Sequence, residues 1–327
     1  MKYQKLGKTD ITVSKVAFGC WGIGGGNVWS DMSVDAAHVA DLLDAASDLG
    51  INYVDTAPVY GIGHSEEILG KALQGRRDRF IVQTKCSLNW RGEGGEFEYE
   101  RDGKTVMRDH RASAVRKDVE DSLTRMNLDH IDSLVVHRIS RTVPVEETMA
   151  ELQKMIQEGK IRAVLISNST PEDFENYSRY GTVAGVQEKL SLFNNAQEVY
   201  FPTCDKYEAV FQVYGSLEEG ALTGRRFYEK SFGKGDVRAN AKWMQEPYRA
   251  KTEELFDCLD ALAGKYDCSS VNLVQAWTLK QYERLNLLTG FRRAETMQDT
   301  CKALDVEISD EDCALIGKLG KAVREAE

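Results

Sequence analysis

The chain has 327 residues, 42% hydrophobic and 29% charged, with only 5 prolines and no low-complexity segment, so the whole length is expected to fold rather than remain disordered. Its formal charge is −10 and its lysines and arginines are scattered, which argues against wrapping nucleic acid or docking on an anionic membrane. The 7 cysteines are widely spaced with no CxxC pair, and the 5 histidines form no HxH or HExxH cluster, so reduced thiols and no metal centre are expected. No apolar run has the length of a signal peptide core or a membrane span, and a cytoplasmic protein is the expectation.

In chain order, "YQKLGKTDITVS" (3–14) reads as a hairpin with its turn at Gly7 to Asp10. Short β-rich runs then alternate with amphipathic helical runs. The strands are expected at 15–19, 51–55, 80–85, 131–136, 161–167, 183–187, 209–213 and 285–289. Between them lie helical stretches such as "VDAAHVADLLDAASDLG", "SAVRKDVEDSLTRM" and "VEETMAELQKMIQEGK". Repeated strand then helix implies parallel strands with right-handed crossovers, and eight repeats favour a single closed (β/α)₈ TIM barrel domain over 1–327. The alternative is an open doubly wound sheet. Its dinucleotide site needs a tight glycine turn after the first strand, and "FGCWGIGGG" (18–26) runs into "NVWSDMS" instead of a helix.

Two long connections, 87–111 and 224–247, both follow strands and so belong on the C-terminal face, where barrel active sites lie. The second is a candidate lid or substrate wall, with Gly224, Gly233 and Gly235 as hinges and Arg225, Arg226 and Lys234 as its basic residues. The same face collects Asp55, Tyr60, Lys85 and His137 at successive strand ends. A lysine closing the apolar run "FIVQT" needs an anion, and Asp55 on the next strand is the natural partner. The ammonium would make Tyr60 easier to ionise, tuning it towards neutral pH, while His137 orients a substrate oxygen. Without a nucleophile or carboxylate pair, the chemistry indicated is proton transfer at a carbonyl or alcohol oxygen, with hydride carried by a cofactor.

These residues resemble the aldo-keto reductases of the bacterial NADP-dependent type, through "DTAPVYGIGHSEEILGKAL", "RKDVEDSLTRMNLDHIDSLVVH", "EEGKIRAVLISN", "ALTG" and "ALDVEISDED". The resemblance implies an NAD(P)H-dependent oxidoreductase that reversibly reduces an aldehyde, ketone or sugar carbonyl. Tyr60 would be the general acid, Asp55 and Lys85 its tuning pair, and His137 the orienting donor. It also implies that Ser167, Asn168 and Gln187 hold the nicotinamide carboxamide and that Tyr214 stacks on the ring. Trp21, Gly215, Ser216, Leu217, Gly290, Arg292, Arg293, Thr296 and Thr300 would complete the cofactor surround. Arg292, with Arg293, would meet an adenosine 2′-phosphate, favouring NADP(H) over NAD(H). Ser167 and Asn168 could equally cap the helix that begins near Pro171. Trp21, Trp29 and Trp90 are candidate walls for a small carbonyl substrate. The chain departs from the family pattern at Leu165, Leu190, Asn195, Ser216, Thr289, Thr296 and Thr300. A redox-neutral epimerase and a nucleotide-binding regulatory subunit remain as alternatives, and assembly into homo-oligomers is allowed.

Overall fold

The computed structural model describes residues 1–29 and 34–326, so the end of the loop "NVWSDMS" lies outside the described residues. A hairpin of β1 (Tyr3–Lys5) and β2 (Thr12–Ser14) precedes the barrel. Barrel strands are β3 (Val16–Gly19), β4 (Tyr53–Asp55), β5 (Ile81–Cys86), β9 (Ile131–Val136), β10 (Ile161–Ser167), β11 (Gly185–Lys189), β12 (Val210–Tyr214) and β13 (Leu285–Gly290). Between β5 and β9 lie β6 (Leu88–Asn89), β7 (Glu96–Arg101) and β8 (Lys104–Arg108). All barrel pairings are parallel and the sheet closes in the order β3, β4, β5, β9, β10, β11, β12, β13. Each of the eight expected strands is therefore a barrel stave, and the open sheet is ruled out.

The helices are α1 (Ala36–Asp48), α2 (His64–Ala72), α3 (Ala112–Met126), α4 (Val145–Gln157), α5 (Pro171–Ser178), α6 (Phe201–Tyr207), α7 (Tyr248–Lys265), α8 (Ser270–Lys280), α9 (Ala294–Lys302) and α10 (Asp310–Arg324). Their apolar stripes cover the strands, as in Val39, Leu42 and Leu43 of α1 or Val115, Val119 and Met126 of α3. Strands buried on both faces are near-continuous apolar runs, which is why they were legible.

The hairpin closes the floor of the barrel: Leu6, Ile11 and Val13 pack with Ala17, Tyr53, Ala163 and Leu165. At the hairpin turn Gly7 has φ +57°, and a Cβ there would meet the Ala184 carbonyl at 2.4 Å. Only glycine lets the turn press this close. Leu165, where the resembled family commonly has glycine, fills the interior. Its Cδ2 lies 3.2 Å from where a Cβ on Gly185 would sit, so the neighbouring strand carries the small residue instead.

Above this apolar layer the barrel is polar. Gln83, Gln212 and Asn286 are buried at matching register positions, with Ser133 and Gln187 beside them. Gln212 accepts from Gln83 and Gln187, each at 2.7 Å, and donates to Asn286 at 2.8 Å; Asn286 donates to the Ser14 carbonyl at 2.6 Å. Buried amides demand such partners, and the chain of them ends on Asp55.

Candidate active site

Asp55 closes β4 and Lys85 lies near the end of β5, on adjacent staves. The Lys85 ammonium donates to both Asp55 oxygens at 2.7 Å and to the Thr56 carbonyl at 2.8 Å. Asp55 also accepts from Gln83 Nε2 at 2.6 Å and Gln187 Nε2 at 3.0 Å. The pairing expected from the sequence is thus present and saturated with donors.

Tyr60 sits in the turn between β4 and α2, held by its N–H to the Ala57 carbonyl at 3.1 Å. The glycine-rich stretch after β3 crosses directly over this turn. Gly61 has φ +59°, and a Cβ there would stand 2.2 Å from the Gly24 carbonyl, so the two backbones touch. The Lys85 ammonium lies 4.9 Å from the Tyr60 ring centroid, and the His137 ring meets it edge-on at 6.0 Å. Trp21 lies 6.2 Å from Tyr60 and 4.8 Å from Trp29, forming an aromatic wall.

The electrostatics differ from the sequence expectation in one respect. Burial, reinforced by the Asp55 carboxylate, pushes the Tyr60 phenol well above its ordinary 10.0 rather than down towards neutrality. Lys85 faces the ring while its charge is spent on Asp55, so the pair offers the hydroxyl little net positive potential and desolvation wins. Burial likewise lowers the Lys85 ammonium, against the opposing pull of Asp55. His137 is held well below 6.5 by burial and then by Lys85, Arg138 and Arg101. The site at neutral pH therefore presents a protonated phenol beside a neutral imidazole.

One cavity of about 1090 Å³ opens from this cluster. Asp55, Tyr60, His137, Trp21 and Trp29 line one region, and Ser167, Asn168, Gln187 and Tyr214 line its side. Gly215, Ser216, Leu217, Gly290, Arg292, Arg293, Thr296 and Thr300 also line it. Lys85 lies beneath, buried, and does not line it. Trp90 is not brought to the cavity. It follows the two-residue β6, which pairs with β8, and packs on the apolar cluster of Ala57, Val59, Leu88 and Val106 with the Arg125 guanidinium 5.5 Å from its ring.

The carboxamide-binding candidates are assembled but bound to one another. Asn168, at φ +51°, donates to the His137 carbonyl at 2.9 Å and accepts from the Tyr214 hydroxyl at 2.8 Å. Ser167 donates to the Gln187 carbonyl at 2.6 Å, and the Gln187 amide nitrogen is spent on Asp55 and Gln212. Neither Ser167 nor Asn168 caps α5. Thr170 does so, accepting from the Asp173 N–H in a capping box, which leaves the two preceding residues at the cavity.

The residues fit a dinucleotide. The cavity is at the upper end of the size of small-molecule sites, Thr289 leaves its buried hydroxyl without a protein partner at the wall, and a Cβ on Gly290 would meet only the Gly19 carbonyl at 3.6 Å. α9 begins just beyond Arg293, offering N-terminal amides to an anion. The 224–247 segment differs from the expected lid in its charges. Arg225 is drawn onto α7 by Glu253, Asp257 and Asp260 at 2.6–2.7 Å, and neither Arg226 nor Lys234 lines the cavity. It lines the cavity with Val237 and Arg238, neither anticipated in the sequence, and Arg238 stacks over Trp29 at 5.0 Å. Trp243 anchors the segment against Phe193 at 4.6 Å.

Comparison with known proteins agrees with this architecture. Residues 15–321 match the sequence profile of the Aldo/keto reductase family. The chain belongs to this family. The aldo/keto reductase is 34% identical over 328 residues to the NADH-specific methylglyoxal reductase of Escherichia coli, covering 99% of both chains. It is 31% identical to the aldo-keto reductase YhdN of Bacillus subtilis, over 95% of this chain and 91% of that one. Among solved structures, the glycerol dehydrogenase AKR11B4 of Gluconobacter oxydans superposes with a TM-score of 0.86 at 32% identity, covering 99% of this chain and 96% of that one. The chain is an NAD(P)H-dependent oxidoreductase acting on carbonyls. Among the described residues no helix is long and apolar enough to cross a membrane, and no cluster of His, Cys, Asp or Glu could hold a metal ion.

Proposed function

We propose that Tyr60 gives the proton to the carbonyl oxygen of an aldehyde, ketone or sugar, that His137 holds that oxygen by donating a hydrogen bond, and that Asp55 and Lys85 fix both in place. The observation that carries this is the convergence of a buried ion pair, a protonated phenol and a neutral imidazole on one region of a cavity large enough for a dinucleotide. The nicotinamide supplies the hydride when bound. Tyr214, tied to Asn168, would hold it against a flat face, and Ser167 and Gln187, on the same cavity wall, would hold its carboxamide. Trp21 and Trp29 keep water from the substrate side.

NADP(H) is the preferred nucleotide in this reading. Arg292 and Arg293 are both at the cavity wall beside α9, where guanidinium groups suit a 2′-phosphate. Against it stand Glu295 and Asp299 on the same wall and a relative named as NADH-specific. The chain acts as one barrel domain over 1–327 in the cytoplasm, a setting that suits its seven free cysteines. Nucleotide absorbance followed with aldehydes, ketones and ketoses, with either reduced nucleotide, tests the proposal. Tight nucleotide binding without turnover of any carbonyl would contradict it.

A further inference from the structure

The substrate end of the cavity has a feature that the catalytic cluster does not require. β7 and β8 form a hairpin whose two-residue turn is Asp102, at φ +48°, and Gly103, at φ +70°. Side chains along β7 should alternate, and Phe97 faces solvent with 61% of its surface exposed. Strict alternation would put Tyr99 and Arg101 on that same outer face. Instead the register shifts between Phe97 and Tyr99, and the bulge turns Tyr99 and Arg101 into the cavity wall. The ribbon is fastened in this pose by Glu96, which pairs with Arg108 at 2.8 Å and accepts from Ser140 and Thr142 in the loop after β9.

Arg101 packs over the Tyr99 ring at 4.5 Å, and among the described residues no carboxylate lies within ion-pair distance of it. Arg138, the residue after His137, lines the same wall, and its ion-pair partner among the described residues is Glu98, at 3.4 Å. Both guanidinium groups line the cavity with His137 and lie near enough to act on its imidazole, so they are on the catalytic side of the cavity. This is notable in a chain of net charge −10. The arginines are not a second half of the nucleotide phosphate site. Arg138 follows β9 and Arg292 follows β13, and these staves are opposite one another in the closed barrel, with β3, β4 and β5 between them on one side and β10, β11 and β12 on the other.

We propose that Arg101 and Arg138 form an anion clamp for the substrate, so that the preferred carbonyl compound carries a carboxylate or phosphate group. The clamp holds that group while the carbonyl lies between Tyr60 and His137. This rests on the carbonyl-reductase reading and deepens it by naming the substrate class. Guanidinium groups on a half-buried wall bind such groups through charge-assisted hydrogen bonds, and the bulge delivers one of the two.

The test compares kcat/KM within matched pairs: butanal against succinate semialdehyde, and glyceraldehyde against its phosphate ester. The charged member of at least one pair is expected to be preferred by about tenfold or more, the scale of one hydrogen bond to a charged group. Which pair shows it distinguishes carboxylate from phosphate. Arg101→Ala and Arg138→Gln should each shrink that ratio, chiefly through KM, and Arg101→Lys should restore part of it. Equal use of both members in both pairs, or a ratio unchanged in the variants, overturns the clamp. Calorimetric binding of succinate and of glycerol phosphate to the nucleotide complex reads the clamp without turnover. Binding weakened by Arg101→Ala supports it even if no carbonyl is reduced, which would sink the reductase reading alone; no binding of either anion overturns it.

Discussion

Lys85 Nζ lies 2.7 Å from both carboxylate oxygens of Asp55, with the two side chains 1% and 2% exposed. A buried charge losing its partner is costly, about 3–5 kcal/mol. Lys85→Met is expected to destabilise the fold on that scale in denaturant titrations, because among the described residues Asp55 keeps the neutral Gln83 and Gln187 amides and no cation. Lys85→Met combined with Asp55→Asn should cost less than the sum of the single changes, since the stranded charge is gone. Additive losses would mean that the pair is not coupled.

The pH profile of carbonyl reduction should be broad. The required phenol is lost only as pH rises through the Tyr60 value, which lies well above 10.0, and the required neutral imidazole only as pH falls through the His137 value, which lies well below 6.5. kcat/KM for the carbonyl is therefore expected to be flat between those two limits. A descending limb inside that window, removed by His137→Gln or Tyr60→Phe, would contradict the electrostatics described above.

Arg292 donates to the Gly22 carbonyl at 2.8 Å and so is already aimed along the cavity wall. Arg292→Ala is expected to weaken NADPH binding by about tenfold or more while NADH changes little, because only the phosphorylated nucleotide loses a charge-assisted contact. Dissociation constants for both nucleotides decide it. Equal weakening would assign Arg292 to holding the Gly22 loop, and tighter binding of NADH than NADPH to the unaltered protein would contradict the NADP preference.

The staves were legible because parallel strands buried on both faces are plain apolar runs, and their ends located Asp55, Tyr60, Lys85 and His137 without any tertiary information. The β7–β8 ribbon was not, although Asp102-Gly103 is a hairpin turn signal. "EFEYER" is charged and its alternation is broken by the bulge, so it reads as loop, and Tyr99 and Arg101 were missed with it. Trp90 failed for a related reason, since the direction of a side chain after the two-residue β6 depends on its pairing with β8. The Tyr60 acidity depended on how far Asp55 consumes the charge of Lys85, which no spacing reveals. Arg225 was lost to three acids on α7 that are close only in the folded chain.

The most direct measurement is turnover and nucleotide binding in Tyr60→Phe. The substitution removes one hydroxyl from a ring held by Trp21, His137 and Lys85, so the fold and the dissociation constant for reduced nucleotide should stay close to those of the unaltered protein. Carbonyl reduction should fall by about a hundredfold or more, the contribution expected of a positioned general acid. Turnover retained within about tenfold, with nucleotide bound normally, would contradict the assignment of Tyr60 as proton donor.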